Sequence, residues 1–109
     1  MFEFIPTDNQ KGTLTLTGQM TLQNIVELSS QFFTSLSSVN ELFINHEKSD
    51  EFDIAYIQLL HSLIKTASLQ NKKISFIGEQ PEVFINRLKI AGDYLLLSKL
   101  VILLATEEK

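Results

Sequence analysis

Cysteine and tryptophan are absent from the 109 residues, and glycine (4) and proline (2) are scarce. Without cysteine there is no disulfide scaffold, no thiolate zinc site and no cysteine nucleophile, which accords with a reducing compartment. Four glycines leave little material for a phosphate-cradling loop, and no Walker, G-x-S-x-G or dinucleotide-turn pattern occurs. Basic residues are the minority, 9 Lys and Arg against 13 Asp and Glu, giving a net charge of −4 and a pI near 5.0. A domain of that sign does not grip a phosphate backbone by counterion release, so nucleic acid is not an expected partner. The start, MFEFIPTDNQ, carries Glu3 and no basic stretch ahead of an apolar run, so it does not read as a secretory signal. The apolar run Leu100 to Ala105 falls far short of the roughly 20 residues a membrane-spanning helix needs. The expected location is the cytoplasm, with contact to a membrane protein left open.

Hydrophobic residues make up 44% of the chain, enough for one core, and with no repeat and no low-complexity linker residues 1–109 read as a single domain. Phe2 to Pro6 and Thr13 to Thr17 are β-rich stretches around a turn containing Asp8-Asn9 and Gly12, which predicts a β-hairpin. Leu14 and Leu16 alternate with threonines, and Gly18 is expected to end that strand. From Thr21, a candidate cap, the apolar spacing changes to three and four, predicting an amphipathic helix to about Ser37. Val39 to Asn45 contains the continuous run Leu42-Phe43-Ile44, expected as a strand buried on both faces and closed by the polar stretch His46 to Glu51. Asp53 to Gln70 predicts a second helix of about four turns. Lys73 to Ile77 follows as a strand, and Pro81 to Gly92 as a third helix, with proline at its first turn and glycine at its cap. Tyr94 to Lys109 fits either a strand with a frayed helix or one apolar helix. The order implies an α/β fold with a small mixed sheet of four or five strands, helices packed against it, and an opening hairpin.

Thr13 to Gly18 (TLTLTG), Leu42 to Leu60 (LFINHEKSDEFDIAYIQLL) and Asn71 to Gly92 together resemble the STAS domain, the family of sulfate transporters and anti-sigma factor antagonists. In family members phosphorylated by an anti-sigma kinase, the serine lies two residues after the aspartate that opens the second helix. By that resemblance Asp53 matches the aspartate, Ile54 the first small polar residue, Ala55 the phosphorylatable position and Tyr56 the glycine. Ala55 has no hydroxyl, so the negative charge and acceptor oxygens that phosphate would bring to a helix N-terminus cannot be installed there. The resemblance therefore implies a non-catalytic, protein-binding regulatory module of bacterial type, like an anti-sigma factor antagonist but independent of that phosphorylation. Its partner would be a kinase-like anti-sigma factor or another signalling regulator. The alternative is a cytoplasmic accessory STAS subunit of an ABC-type lipid transport system, binding a membrane permease; such subunits usually have Thr where this chain has Ile54.

The candidate partner-binding residues are Asp53, Ile54, Ala55, Tyr56 and Gln58. Asp53 is also expected to cap the second helix. Ile54 and Tyr56 either extend the core or form an exposed apolar and aromatic pair that anchors a partner. Gln58 shares a helix face with Ile54. His46, Glu47, Asp50, Asp53 and His61 are metal-capable types, but no ligand pair stands at a recognised spacing, so neither a metal nor another cofactor is expected. His61 is expected to be partly buried and hydrogen-bonded. The leucine-rich run Leu95 to Leu104 must be covered, by the domain itself, by a second copy in a homodimer or by a larger partner.

Overall fold

The computed structural model describes residues 2–7, 10–93 and 96. Strand β1 (Phe2–Pro6) pairs antiparallel with β2 (Lys11–Met20) from Phe2 opposite Leu16 to Pro6 opposite Gly12, the expected hairpin. A 3-10 turn (Leu22–Asn24) leads into helix α1 (Ile25–Ser37), which crosses to β3 (Glu41–Phe52), parallel to β2. Helix α2 (Ile54–Leu69) crosses to β4 (Lys73–Phe76), parallel to β3, and α3 (Glu82–Ile90) follows. Among the described residues the sheet runs β1-β2-β3-β4, a mixed sheet of four strands in an α/β fold.

All three helices share one core with a single face of the sheet. Leu14 and Leu16 of β2, Leu42 and Ile44 of β3, Phe32 of α1, Leu60 of α2 and Phe84 of α3 are fully buried there. Each such side chain gains roughly 1.5–3 kcal/mol by leaving water. The opposite face, bearing Thr13, Thr15 and Phe43, is half-exposed, so β3 is not buried on both sides.

Two expected boundaries move for one reason. The stretch from His46 onward continues β3 to Phe52, and β2 runs through Gly18 to Met20. Against β2, the β3 register skips between Asn45 and Lys48 and again between Ser49 and Glu51, two β-bulges that each insert one residue. Burial in β3 therefore changes from every second residue (Leu42, Ile44, His46) to every third (Ser49, Phe52). Ser49 Oγ donates to the Leu16 carbonyl at 3.2 Å, between the two irregularities. Gly18, beside the second bulge, has φ of +91°, a left-handed conformation that glycine adopts without strain. Gly92 (φ +69°) lies one residue past the Ala91 cap of α3, as expected for a glycine stop.

Candidate functional site

The two bulges deliver Asp53 to the junction of β2, β3, α1 and α2. Asp53 is the N-cap of α2: its Oδ1 accepts from Tyr56 N at 3.2 Å, and its Oδ2 accepts from Leu22 N at 2.8 Å. One carboxylate thus satisfies amides at the starts of two neighbouring helical segments, where the helix dipoles favour negative charge. Its own amide donates to Met20 O at 3.3 Å, tying the site to the end of β2. Thr21 stands ahead of the 3-10 turn but makes no side-chain cap bond. Asn24 Nδ2 instead donates to Gln19 O at 3.0 Å, closing that corner. The bond from Leu22 to Asp53 spans 31 residues and leaves no local signal in the sequence.

The remaining candidate residues separate by the helical turn. Ile54 is 56% exposed, Ala55 is half-buried and Gln58 is exposed. Tyr56 is fully buried, so of the two readings open from the sequence it takes the core and is withdrawn from the surface set. Leu22 (68% exposed) and Val26 (82%) stand beside α2, and with Ala55, Gln58 and Ser62 they line an open groove of about 490 Å³ between α1 and α2. A polar hollow of about 440 Å³ lies on the other side of Leu22, lined by Gln19, Glu51, Asp53 and Arg87 among others. Ile54 borders a smaller hollow with Arg87 and Ile90 of α3.

Beneath this surface Tyr56 takes part in a buried polar network. His46, read in the sequence as part of a closing turn, points into the core with its Nδ1 2.8 Å from the Tyr56 hydroxyl and its Nε2 2.6 Å from Gln80 Oε1. Gln80 Oε1 can only accept, so Nε2 carries the proton and the Tyr56 hydroxyl donates to Nδ1. The imidazole meets Phe84 edge-on at 4.5 Å and Phe52 at 5.3 Å between ring centroids, with Phe76 at 5.5 Å. Burial among these rings lowers the His46 pKa to about 4 against the opposing hydrogen bond to Gln80, and burial raises that of Tyr56. The only sequence signal for this network was His46 standing two residues after Ile44 in the strand alternation.

Among the described residues no three His, Asp or Glu side chains gather around a common point. His46 faces the core, Glu47 and Asp50 are exposed, Asp53 is engaged by two amides, and His61 pairs with Asp93 at 2.5 Å. His61 is partly buried and bonded, as expected. No described helix is long and apolar enough to cross a membrane. The run Leu95 to Leu104, a candidate homodimer contact in the sequence, lies outside the described residues apart from Leu96, which is buried and whose amide donates to Asp93 Oδ1 at 3.2 Å.

The chain is similar to SpoIIAA, an anti-sigma factor antagonist, in its unphosphorylated form: 12% identity, 74% of this chain and 76% of that one, TM-score 0.62. It is also similar to the Bacillus cell fate determinant SpoIIAA in its phosphorylated form, with 11% identity over 84% of each chain and a TM-score of 0.65. A third similar structure is an anti-sigma factor antagonist STAS domain from Rhodobacter sphaeroides, with 13% identity, 76% and 92% coverage and a TM-score of 0.58. The sequence matches no family model and no curated protein. What is shared at these identities is architecture: the chain has a STAS-like fold, that of the anti-sigma factor antagonists.

Proposed function

We propose that the chain is a non-catalytic regulatory module that binds a protein partner through the start of α2 and the 3-10 turn beside it, without a phosphorylation switch at Ala55. The observation that carries this reading is the exposure of Leu22, Val26 and Ile54 around a rigidly capped helix start. Aliphatic side chains held out of the core on a fixed backbone are the usual anchors of a protein interface. Ala55, Gln58 and Asp53 complete the surface, and similarity to antagonists solved in unphosphorylated and phosphorylated forms supports a protein as the partner. The partner is a soluble signalling regulator of the anti-sigma type.

Ala55→Glu places a carboxylate at the second residue of α2, a position where acids favour the helix, so the variant keeps its fold while charging the surface. Tagged wild type and Ala55→Glu, matched by circular dichroism, are used to capture partners from native lysate, which are identified by mass spectrometry. A soluble kinase-like or signalling protein held by wild type and lost by Ala55→Glu is the expected result. Capture of a membrane permease with its ATPase would replace this reading with the transporter subunit. Retention of the same partners by both proteins would move the binding surface elsewhere.

A further inference from the structure

Helices α1 and α2 run side by side in the same direction. Asp53 joins their starts, and Lys72 Nζ donates to Leu36 O at 2.8 Å near their ends. Their 13 and 16 residues contain one Asp, Glu, Lys or Arg each, Glu27 and Lys65, although such residues make up 20% of the chain. A chain of net charge −4 repels its own copy over most of its surface, but across this layer two copies meet with almost no like charge.

The outer stripe of α2 is also nearly symmetric about its middle. Ile54, Gln58, Ser62, Lys65 and Leu69 recur at helical spacing, with Ile54 56% and Leu69 77% exposed at the two ends and exposed Ser62 between them. Ile54 lies eight residues before Ser62 and Leu69 seven after it. At 1.5 Å per residue the two ends stand about 12 and about 10.5 Å from Ser62. We infer that this face docks a second copy of the chain, with the two α2 helices antiparallel about a two-fold axis at Ser62 and Ile54 of each copy against Leu69 of the other. The axis passes over a small side chain that allows close helix approach, and each exposed aliphatic end finds an aliphatic partner. The same turn places Gln58 opposite Lys65, so the single cation meets a neutral acceptor, and the two Lys65 backbone positions stay about 9 Å apart along the helices. This self-association is argued independently of the partner reading. Where that reading also holds, the dimer covers Ile54 and Gln58 and keeps the partner surface closed.

The absence of native cysteine makes the register directly testable. Ser62→Cys, Ser68→Cys, Ile54→Cys and Leu69→Cys are prepared singly in the 109-residue chain, checked by circular dichroism, and oxidised mildly at micromolar concentration, while sedimentation velocity follows the unmodified chain. The unmodified chain is expected to form a dimer as its concentration rises. Ser62→Cys should cross-link to itself roughly tenfold faster than Ser68→Cys, because thiols held at an axis meet at millimolar effective concentration. An Ile54→Cys and Leu69→Cys mixture should form the mixed disulfide in preference to either self-pair. A chain that stays monomeric, or cross-linking at equal rates at positions 62 and 68, would overturn the inference. Preferential Ile54→Cys self-pairing would overturn it as well.

Discussion

Asp53 divides its two oxygens between two helical segments, so its substitution reaches beyond α2. Asp53→Ala should lower stability by about 2 kcal/mol, near the upper end for a cap, because two charge-assisted bonds are lost together. Asp53→Asn, which keeps one acceptor, should lose about half as much, and urea denaturation of both variants checks the ratio. The cap itself was legible in the sequence, since an aspartate directly before an apolar periodic run is a helix start. Its second bond was not, because Leu22 is 31 residues away. His46 was misplaced for a different reason: surrounded by polar neighbours, it looked like part of a turn, and only the aromatic cage shows why it is buried. That burial has a pH signature. The folded-state pKa of about 4 lies below the unfolded value near 6.5, so the unfolded chain takes up the proton first as pH falls. The stability His46 permits is fully present above about pH 6.5 and declines by roughly 3 kcal/mol as pH falls toward 4. In His46→Leu the chain should be less stable at pH 7, with Tyr56 and Gln80 left unpartnered, and its acid limb should be flatter. Denaturation midpoints measured from pH 7.5 to 4 test both effects.

β3 shows how an element can be read correctly at its start and lost midway. Leu42 to Ile44 carried a clear apolar signal, and the strand was found there. Beyond Asn45 the bulges change the burial period from two to three, so Glu47, Lys48, Asp50 and Glu51 look like a solvated loop although they belong to the strand. Helices were legible more fully: α2 falls within its expected span of Asp53 to Gln70, and α3 ends beside the expected glycine. The bulges predict a contrast between deletion and substitution. Removing Asp50 should take away one inserted residue, turn Phe52 off the core face and displace Asp53 from the start of α2. Asp50→Ala, at an exposed side chain, should change stability by less than about 0.5 kcal/mol. Thermal unfolding would show a cooperative transition kept by Asp50→Ala and lost or lowered strongly by the deletion.

At the scale of the whole molecule, a one-sided core leaves α1 and α2 as an outward layer with their starts joined at Asp53. The start of the second helix was legible as a location, and with it the placement of Asp53 at the cap and of Ile54, Ala55 and Gln58 on the first turns of α2. Tyr56 could not be assigned from spacing, because in a helix one residue's step from Ala55 turns a side chain about 100° around the axis, here from the groove into the core. Leu22 and Val26 were missed because the three-and-four apolar spacing counts them with the core, whereas Leu22 lies in the 3-10 turn, Val26 in the first turn of α1, and both stand exposed. A protein partner bound as proposed would cover this surface with Ala55 at its centre. Titration of the captured partner against wild type, Ala55→Glu and Val83→Lys, the last an exposed control on α3, measures whether it does. At least about a tenfold loss of affinity is expected for Ala55→Glu, since a carboxylate would be buried without a counter-charge, with its unfolding midpoint and the Val83→Lys affinity unchanged. Equal affinity for wild type and Ala55→Glu would mean that the partner does not bind at this surface.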